Sequence, residues 1–314
     1  MNLNRRKFIS GMATAMVAMP VSGVIDSLTA NAPLTKYPVA FFTKTLDNYE
    51  LDFMAETLAL AGITGFDLAV RPNGRVLPER VRDDLPMVIE TGKKYQLTTE
   101  MMVTSIRDAD EPFARQVLET AASLGVKHYR LGYFDYNYSK GILVSLNEIR
   151  PRLEQLAQIN KEFGIQAAYQ NHSGIKVGAP MWDVWELIKD FPFKSISSQF
   201  DIRHAVTEAS SSWILSMHLL HKFIGSLAVK DFTWQVSGGK AKIVSVPLGE
   251  GIVDFDLFFK TIKDLNITAP FTLHIEYPLL TMEEENLTLL QKQKILVSKI
   301  KKDVNFIRNN LDKS

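Results

Sequence analysis

Short apolar segments alternate with longer helical patterns along the chain from Tyr37 onward. This alternation is typical of a parallel sheet whose strands are joined by helices. The predicted strands are Val39–Thr43, Gly65–Val70, Thr98–Thr104, His128–Tyr133, Gln166–Gln170, Ser195–Phe200, Ser226–Val229 and Thr272–Ile275. Helices are predicted near 48–61, 79–95, 111–124, 146–163, 181–190, 211–222, 254–265 and 286–311. Eight strands and eight helices in strict alternation predict an α/β fold, a (β/α)8 TIM barrel.

The segment Thr233–Gly251 interrupts the alternation. Its centre, Ser237-Gly-Gly-Lys240, lies between two segments of strand-like sequence, which predicts a β-hairpin inserted after strand 7. An insertion at this point lies over the mouth of a barrel. The hairpin either covers a pocket or bridges to a second subunit, so a homo-oligomer is one of two alternatives.

Residues 1–32 have the pattern of a twin-arginine signal peptide. Arg5 and Arg6 precede a mildly apolar stretch over residues 11–25, and Ala30-Asn-Ala32 has the form of a cleavage site. We therefore expect one barrel domain over 33–314, located in the periplasm and without a membrane anchor after processing. The bond that is cut is defined only to within a few residues, because Pro33 is a poor residue to follow a cleavage site.

Composition excludes several classes of protein. The chain is 46% hydrophobic and 23% charged, with a formal net charge of +1, so it is ordinary globular material with no reason to bind nucleic acid. It contains no cysteine, which excludes disulfides and thiolate zinc sites. No G-x-G-x-x-G motif follows the first predicted strand, so we expect no nucleotide cofactor.

Polar clusters stand at the ends of four predicted strands. These clusters are Tyr169–His172, Asp201–His204, Ala228–Asp231 and Leu273–Glu276. In the second of them, Asp201 stands at the edge of a strand and His204 in the loop that follows. The carboxyl ends of barrel strands converge on one face, where barrel enzymes carry their active sites. The sequence therefore predicts an active site at this face.

Strand alternation indicates which of these side chains share the inner face. The inward set is Gln170, His172, Asp201, Lys230, His274 and Glu276. Charged side chains are almost never fully buried unless they are paired. Lys230 is therefore either a functional group or the partner of Asp201 or Glu276 in a structural ion pair.

Asp201 and Glu276, with an imidazole and the amide oxygen of Gln170, form an oxygen-rich set that suits a divalent ion such as Mn, Mg or Zn. The charge of Lys230 competes with that ion. Aromatic residues crowd the predicted mouth, and Tyr133 and Trp234 are the best candidates to stack on a sugar ring.

The chain resembles the xylose isomerase-like barrel superfamily, and its leader and motifs together resemble an exported subgroup. The resemblance runs from Tyr37 to the C-terminus. It rests on Tyr169-Gln-Asn-His172, Asp201-Ile-Arg-His204, Val229-Lys-Asp231, Leu248-Gly-Glu-Gly251 and His274-Ile-Glu276.

Ketose 3-epimerases of this superfamily hold a divalent metal with two glutamates, an aspartate and a histidine. The resemblance implies that Asp201 and Glu276 are metal ligands and that His204 binds substrate. Gln170 stands where the first glutamate is expected, and Ala228 (or Ser226) where the metal histidine is expected. Glu276 is then the remaining carboxylate of the acid–base pair.

The residues and the resemblance together predict a periplasmic enzyme that abstracts a proton next to the carbonyl of a sugar or keto-sugar. Its predicted catalytic residues are Glu276, Lys230 and His204. Its predicted substrate-binding residues are Gln170, His172, Arg203, Trp234, His274 and Tyr133. Isomerisation, epimerisation and β-elimination share this first step, so all three stay open. The alternative is a sugar-binding barrel without catalytic activity.

Overall fold

The computed structural model describes residues 36–313, which contain a closed barrel of eight parallel strands. The barrel strands are β1 (Val39–Phe42), β2 (Gly65–Ala69), β3 (Thr98–Val103), β4 (His128–Arg130), β5 (Gln166–Gln170), β6 (Ile196–Asp201), β7 (Ile224–Val229) and β10 (Phe271–Leu273). Each strand pairs with its neighbour in chain order, and β10 pairs with β1 to close the barrel. The predicted fold class is confirmed.

Helices surround this barrel. Those in the described part of the chain are α1 (Leu51–Leu60), α2 (Val81–Lys94), α3 (Ala114–Ser123), α4 (Ile142–Phe163), α5 (Met181–Ile188), α6 (Ile202–Ala209), α7 (Trp213–Leu220), α8 (Phe255–Asp264) and α9 (Leu289–Lys313). Helix α6 was not predicted. His204 therefore lies in the first turn of a helix. The loop that the sequence predicts at this residue is wrong.

Strand alternation separates two environments. On β2, Phe66 and Leu68 belong to the large apolar core outside the barrel, whereas Ala69 packs in a small apolar cluster with Phe42 and Val103. Much of the barrel interior is polar. On β6, for example, the buried Gln199 donates from Nε2 to Oγ1 of Thr272, at 3.1 Å.

The predicted hairpin after the seventh strand is confirmed. Strands β8 (Asp231–Ser237) and β9 (Lys240–Val246) pair antiparallel around Gly238 and Gly239, whose φ angles are 57° and 74°. Two consecutive positive φ angles are what a tight hairpin turn requires, and glycine adopts them without strain. Whether the hairpin covers a pocket or bridges to a second subunit stays a prediction.

The loop after this hairpin is held by a buried carboxylate. Asp231 accepts hydrogen bonds from the backbone N–H groups of Gly249 (3.0 Å), Gly251 (2.9 Å) and Val253 (3.2 Å). A Cβ atom on Gly251 would collide with this carboxylate. The glycines of the motif at 248–251 therefore let the backbone of the loop lie directly against the carboxylate of Asp231.

The predicted signal peptide, residues 1–32, lies outside the described residues. Within 36–313 we find no helix that combines the length and the apolar character needed to cross a bilayer.

Candidate active site

An ammonium group lies at the centre of a polar cluster at the C-terminal mouth of the barrel. Lys230 directly follows β7, and its side chain is 5% exposed. Its Nζ atom lies 3.1 Å from Oδ2 of Asp201 and 2.9 Å from Oε1 of Glu276. The structural ion pairs that the sequence left open as an alternative are thus both present. Lys230 is thus a cation held between two carboxylates.

Asp201 ends β6 and caps α6. Its Oδ1 atom accepts a hydrogen bond from the backbone N–H of His204, at 3.1 Å, as N-cap residues do. Asn171 donates to the backbone carbonyl of Asp201 (2.9 Å) and accepts from its N–H (2.8 Å). Burial by itself raises the pKa of Asp201, but Lys230 and Arg203 outweigh burial, and the net effect lowers it. Asp201 is therefore a fixed, ionised group at neutral pH.

Gln170, at the end of β5, connects Asp201 on β6 to Arg130 on β4 through hydrogen bonds. Its Oε1 atom accepts hydrogen bonds from Nη1 of Arg130 (2.8 Å) and from the hydroxyl of Tyr133. Its Nε2 atom donates to Oδ2 of Asp201, at 2.9 Å. An arginine only donates and a carboxylate only accepts, so these partners fix the orientation of the amide. Gln170 presents its NH2 group, not its oxygen, to Asp201.

His204 is a neutral acceptor. Its Nε2 atom lies 3.0 Å from Nζ of Lys230 and 3.2 Å from Nη2 of Arg203, which are both donors. Its Nδ1 atom therefore carries the proton and donates to Oγ of Ser173, at 2.8 Å. Burial and the charges of Lys230 and Arg203 lower the pKa of His204 well below 6.5. His204 thus accepts from both cations through the same nitrogen.

His172 lies beside this histidine. Its ring centroid is 4.0 Å from that of His204 and 4.8 Å from that of Tyr133. Its Nδ1 atom donates to the carbonyl of Ser173, at 2.8 Å, which leaves the lone pair on Nε2. Burial lowers the pKa of His172, and the charge of Lys230 lowers it further. The imidazole is neutral at pH 7.

Glu276 is the most exposed member of the cluster, with 40% of its side chain accessible. Its Oε2 atom lies 3.2 Å from Nη2 of Arg203. Burial by itself raises the pKa of Glu276, but the charges of Lys230 and Arg203 reverse the effect and lower it. Glu276 is thus an accessible carboxylate, ionised at neutral pH and placed between two cations.

Two predicted substrate-binding residues lie elsewhere. His274 is 2% exposed inside the barrel, where its Nε2 atom lies 3.1 Å from Oδ2 of Asp67 and 3.2 Å from Oγ1 of Thr272. Trp234 lies on the hairpin, 45% exposed, with its ring 5.6 Å from that of Phe232. Among the residues that the structure describes, neither one hydrogen-bonds to Lys230 or Glu276, although the charges of Lys230 and Asp201 act on His274.

Two buried charged residues near the site are not among the residues predicted from the sequence. Asp67 lies in the middle of β2 and contacts His274, and burial raises the pKa of Asp67 to about 7 although Arg130 and Arg71 lower it. Arg130 ends β4 and contacts Gln170. For Asp67 the available signal was a charge in the middle of an otherwise apolar strand, because such a residue must face a polar barrel interior. Arg130 stands at the end of its strand and offered no such signal.

A cavity of about 650 Å³ opens beside the cluster, at the ends of β2, β3 and β4. Arg130 and Tyr133 line this cavity and also contact Gln170, so the cavity and the cluster share these two walls. Its other lining residues include Arg71, Thr104, Ser105, Arg107, Glu111, Asp135 and Lys176. This volume is large enough for a ligand of sugar size.

The predicted metal site does not fit the observed side chains. The ammonium of Lys230 lies between the two carboxylates that would bind the ion, and Gln170 presents a donor rather than its oxygen. Over residues 36–313, no group of three or more His, Cys, Asp or Glu side chains is arranged to hold a metal. Lys230 supplies in this position the positive charge that a divalent ion would supply.

The polar cluster lies at the barrel face on which TIM barrels build their active sites. Residues 55–293 match the sequence profile of the family described as xylose isomerase-like TIM barrel, and the chain belongs to this family. A search of curated protein sequences found no match.

Solved structures with the same fold share little sequence with the chain. D-psicose 3-epimerase with D-tagatose, from Clostridium cellulolyticum H10, has 10% identity and a TM-score of 0.64 over 88% of this chain and 99% of that one. The 3-keto-D-glucoside 4-epimerase of E. coli has 12% identity and a TM-score of 0.62 over 87% and 99%. The protein IOLI with a bound zinc atom has 16% identity and a TM-score of 0.64 over 88% and 98%.

Proposed function

We propose that the chain is an enzyme that removes a proton next to the carbonyl group of a sugar or keto-sugar. The observation that carries this proposal is the placement of Glu276, an accessible carboxylate whose two oxygens contact the cations of Lys230 and Arg203. The carboxylate of Glu276 can take a proton. The cations of Lys230 and Arg203 beside it can stabilise the negative charge that forms on the substrate. Fixed charges of this kind are usually the largest contribution to such a step.

The proposed step uses only side chains of this chain. Glu276 takes the proton from the carbon next to the carbonyl, and the electron pair of the broken C–H bond moves to the carbonyl oxygen. The ammonium of Lys230 and the guanidinium of Arg203 stabilise the resulting enediolate. His204 holds these two cations in place through its Nε2 atom.

The fate of the enediolate defines the reaction. Return of a proton to the opposite face gives an epimer, and return to the neighbouring carbon gives an isomer. Loss of a leaving group from the β carbon of a keto-glycoside gives an elimination product. The solved epimerases with this fold act on sugars or keto-glycosides according to their names, which supports the proposed substrate class.

A divalent metal is implied by the family resemblance, and one solved structure of the same fold holds zinc. In this chain, an ion between Asp201 and Glu276 would first have to displace the ammonium of Lys230. Our proposal therefore derives no step through a metal.

A sugar-binding barrel without catalysis is the second candidate. The pairing of charges in the cluster favours this candidate. The two cations, Lys230 and Arg203, compensate the two carboxylates, Asp201 and Glu276, and structural ion-pair networks show the same balance. The accessible Glu276 can contact a ligand in either case, so product formation distinguishes the two candidates.

We further propose that the chain acts in the periplasm after twin-arginine export. This rests on the pattern over residues 1–32. Replacing Arg5 and Arg6 by lysine should leave the full-length precursor in the cytoplasmic fraction, whereas unchanged export would contradict the proposed route.

The proposed activity is tested by incubating the purified chain with a panel of ketoses, aldoses and 3-keto-glycosides and identifying products by NMR. An epimer, an isomer or an unsaturated product supports the enzyme and identifies the reaction. Saturable binding of a sugar without any product supports the binding barrel.

A further inference from the structure

Two guanidinium groups in the cavity beside the cluster make no ion pair. Arg130 is 6% exposed and donates from Nη1 to Gln170, but its buried Nε atom has no hydrogen-bond partner. Arg71 packs over the ring of Phe42, at 5.5 Å, as does Arg130 at 5.8 Å. Within residues 36–313 no carboxylate forms an ion pair with either arginine. Both side chains line the cavity.

The other cations of the same cavity are neutralised. Nε of Arg107 lies 3.2 Å from Oε1 of Glu111, and Lys176 forms an ion pair with Asp135. Asp67 acts electrostatically on both arginines, and Asp47 acts on Arg71. Burial raises the pKa of Asp67 to about 7 and also raises the pKa of Asp47, so neither acid fully compensates the two arginines, and Glu79 is the other carboxylate that lines this side of the cavity.

The unpaired Nε of Arg130 is costly in this buried position. A buried donor without an acceptor loses its hydration and gains no bond in return. Burial and the charge of Arg130 together lower the pKa of Arg71, which shows that the two cations repel each other. An oxyanion bound between them would remove both costs at once, because arginine pairs with carboxylate and phosphate through two parallel hydrogen bonds.

We propose that Arg71 and Arg130 form a subsite for an oxyanion carried by the sugar substrate, either the carboxylate of an oxidised sugar or a phosphate ester. This inference rests on the proposed function and specifies its substrate class. Contacts through Gln170 and Asp201 join Arg130 to Lys230, so the subsite adjoins the proposed reaction centre. One end of the sugar would be held by the arginines while its carbonyl lies at Lys230.

Calorimetric titration of the purified full-length chain with D-glucuronate, D-glucose 6-phosphate and D-glucose tests this proposal. We expect at least one of the two anionic sugars to bind about tenfold or more tightly than glucose, since hydrogen bonds between charged groups are stronger than those between neutral ones. The anion that binds more tightly identifies the source of the oxyanion. Equal binding of all three sugars overturns the proposal.

Two variants separate the subsite from general surface charge. Arg71→Gln removes a guanidinium that no described side chain needs as a donor, so we expect it to fold and to lose the preference for the anionic sugar. Arg107→Gln removes a paired cation from the same cavity and should keep that preference. A preference that persists in Arg71→Gln, or disappears equally in both variants, contradicts the assignment.

The outcome is independent of turnover. Selective binding of the anion that is lost in Arg71→Gln supports the subsite even if no sugar of the panel is converted, in which case the proposed reaction alone fails. If neutral sugars are converted and no anionic sugar is preferred, the proposed reaction stands and the subsite alone is refuted.

Discussion

The Nζ atom of Lys230 lies 2.9 Å from Oε1 of Glu276, which couples a buried ammonium to an accessible carboxylate. Asp201 anchors the same ammonium from below, at 3.1 Å, and is itself tied to the barrel by Gln170 and Asn171. The proposed base is therefore held by a cation whose position the barrel fixes. Loss of Lys230 should affect both the stability of the fold and the reactivity of Glu276.

Lys230→Met should destabilise the protein strongly. The substitution leaves the fully buried Asp201 without its closest cation, and breaking a buried ion pair in this way costs about 3–5 kcal/mol. Lys222→Met, at an exposed position, is the matched control and should stay within about 0.5 kcal/mol of the wild type. Urea unfolding at pH 7 measures both, and equal stability of the two variants would show that the pair does not hold the site together.

Asp67→Asn should stabilise the protein at alkaline pH. The folded pKa of Asp67, about 7, lies above its unfolded value of 3.8, so the stability that its proton contributes is complete below pH 3.8 and is lost as the pH rises through 7. Burial and the charge of Lys230 lower the pKa of His274, the partner of Asp67 at 3.1 Å, well below 6.5, so this imidazole is neutral at pH 7 and above.

Asparagine does not ionise, so the Asp67→Asn variant does not lose stability as the pH rises through 7. We expect its gain over the wild type to be greater at pH 8 than at pH 5 by roughly 2 kcal/mol or more. Denaturant unfolding at the two pH values measures the difference, with the exposed Asp110→Asn as a control that should show none. A gain that does not change with pH would mean that Asp67 is ionised throughout.

Elemental analysis should find no stoichiometric Mn, Mg or Zn in the purified chain, even after incubation with each ion, because Lys230 lies between the two carboxylates. Asp201→Ala serves as the comparison. A stoichiometric ion in the wild type that is lost in this variant would mean that the ammonium moves aside and that Asp201 and Glu276 are metal ligands after all.

Much of the fold and part of the site could be predicted from the chain alone. Regular alternation defined the barrel and the hairpin, and inward spacing on single strands brought Asp201, Lys230 and Glu276 to one face. Depth along the barrel axis is harder to infer. His274 shares a face with Glu276 but lies two residues earlier, inside the barrel, where Asp67 is its partner.

Contacts between residues that are far apart in the sequence explain why other parts of the site could not be predicted from it. Arg130 bonds to Gln170, which is 40 residues away, and nothing in the local sequence indicates that contact. Helix α6 is only eight residues long, which is too short for helical spacing to stand out, so the sequence predicts a loop at His204. The orientation of the Gln170 amide, which decides against a metal ligand, depends on Arg130 and Asp201 together.

Hydrogen exchange at the substrate tests the central claim most directly. A sugar that the wild type converts is incubated in D2O with wild type, Glu276→Gln and Glu154→Gln, an exposed helix substitution as control. NMR follows deuterium at the carbon next to the carbonyl. We expect rapid incorporation with wild type and Glu154→Gln, and at least a hundredfold slower incorporation with a folded Glu276→Gln, since general acid–base groups contribute about 10²–10⁴-fold. Undiminished incorporation in Glu276→Gln would contradict the account.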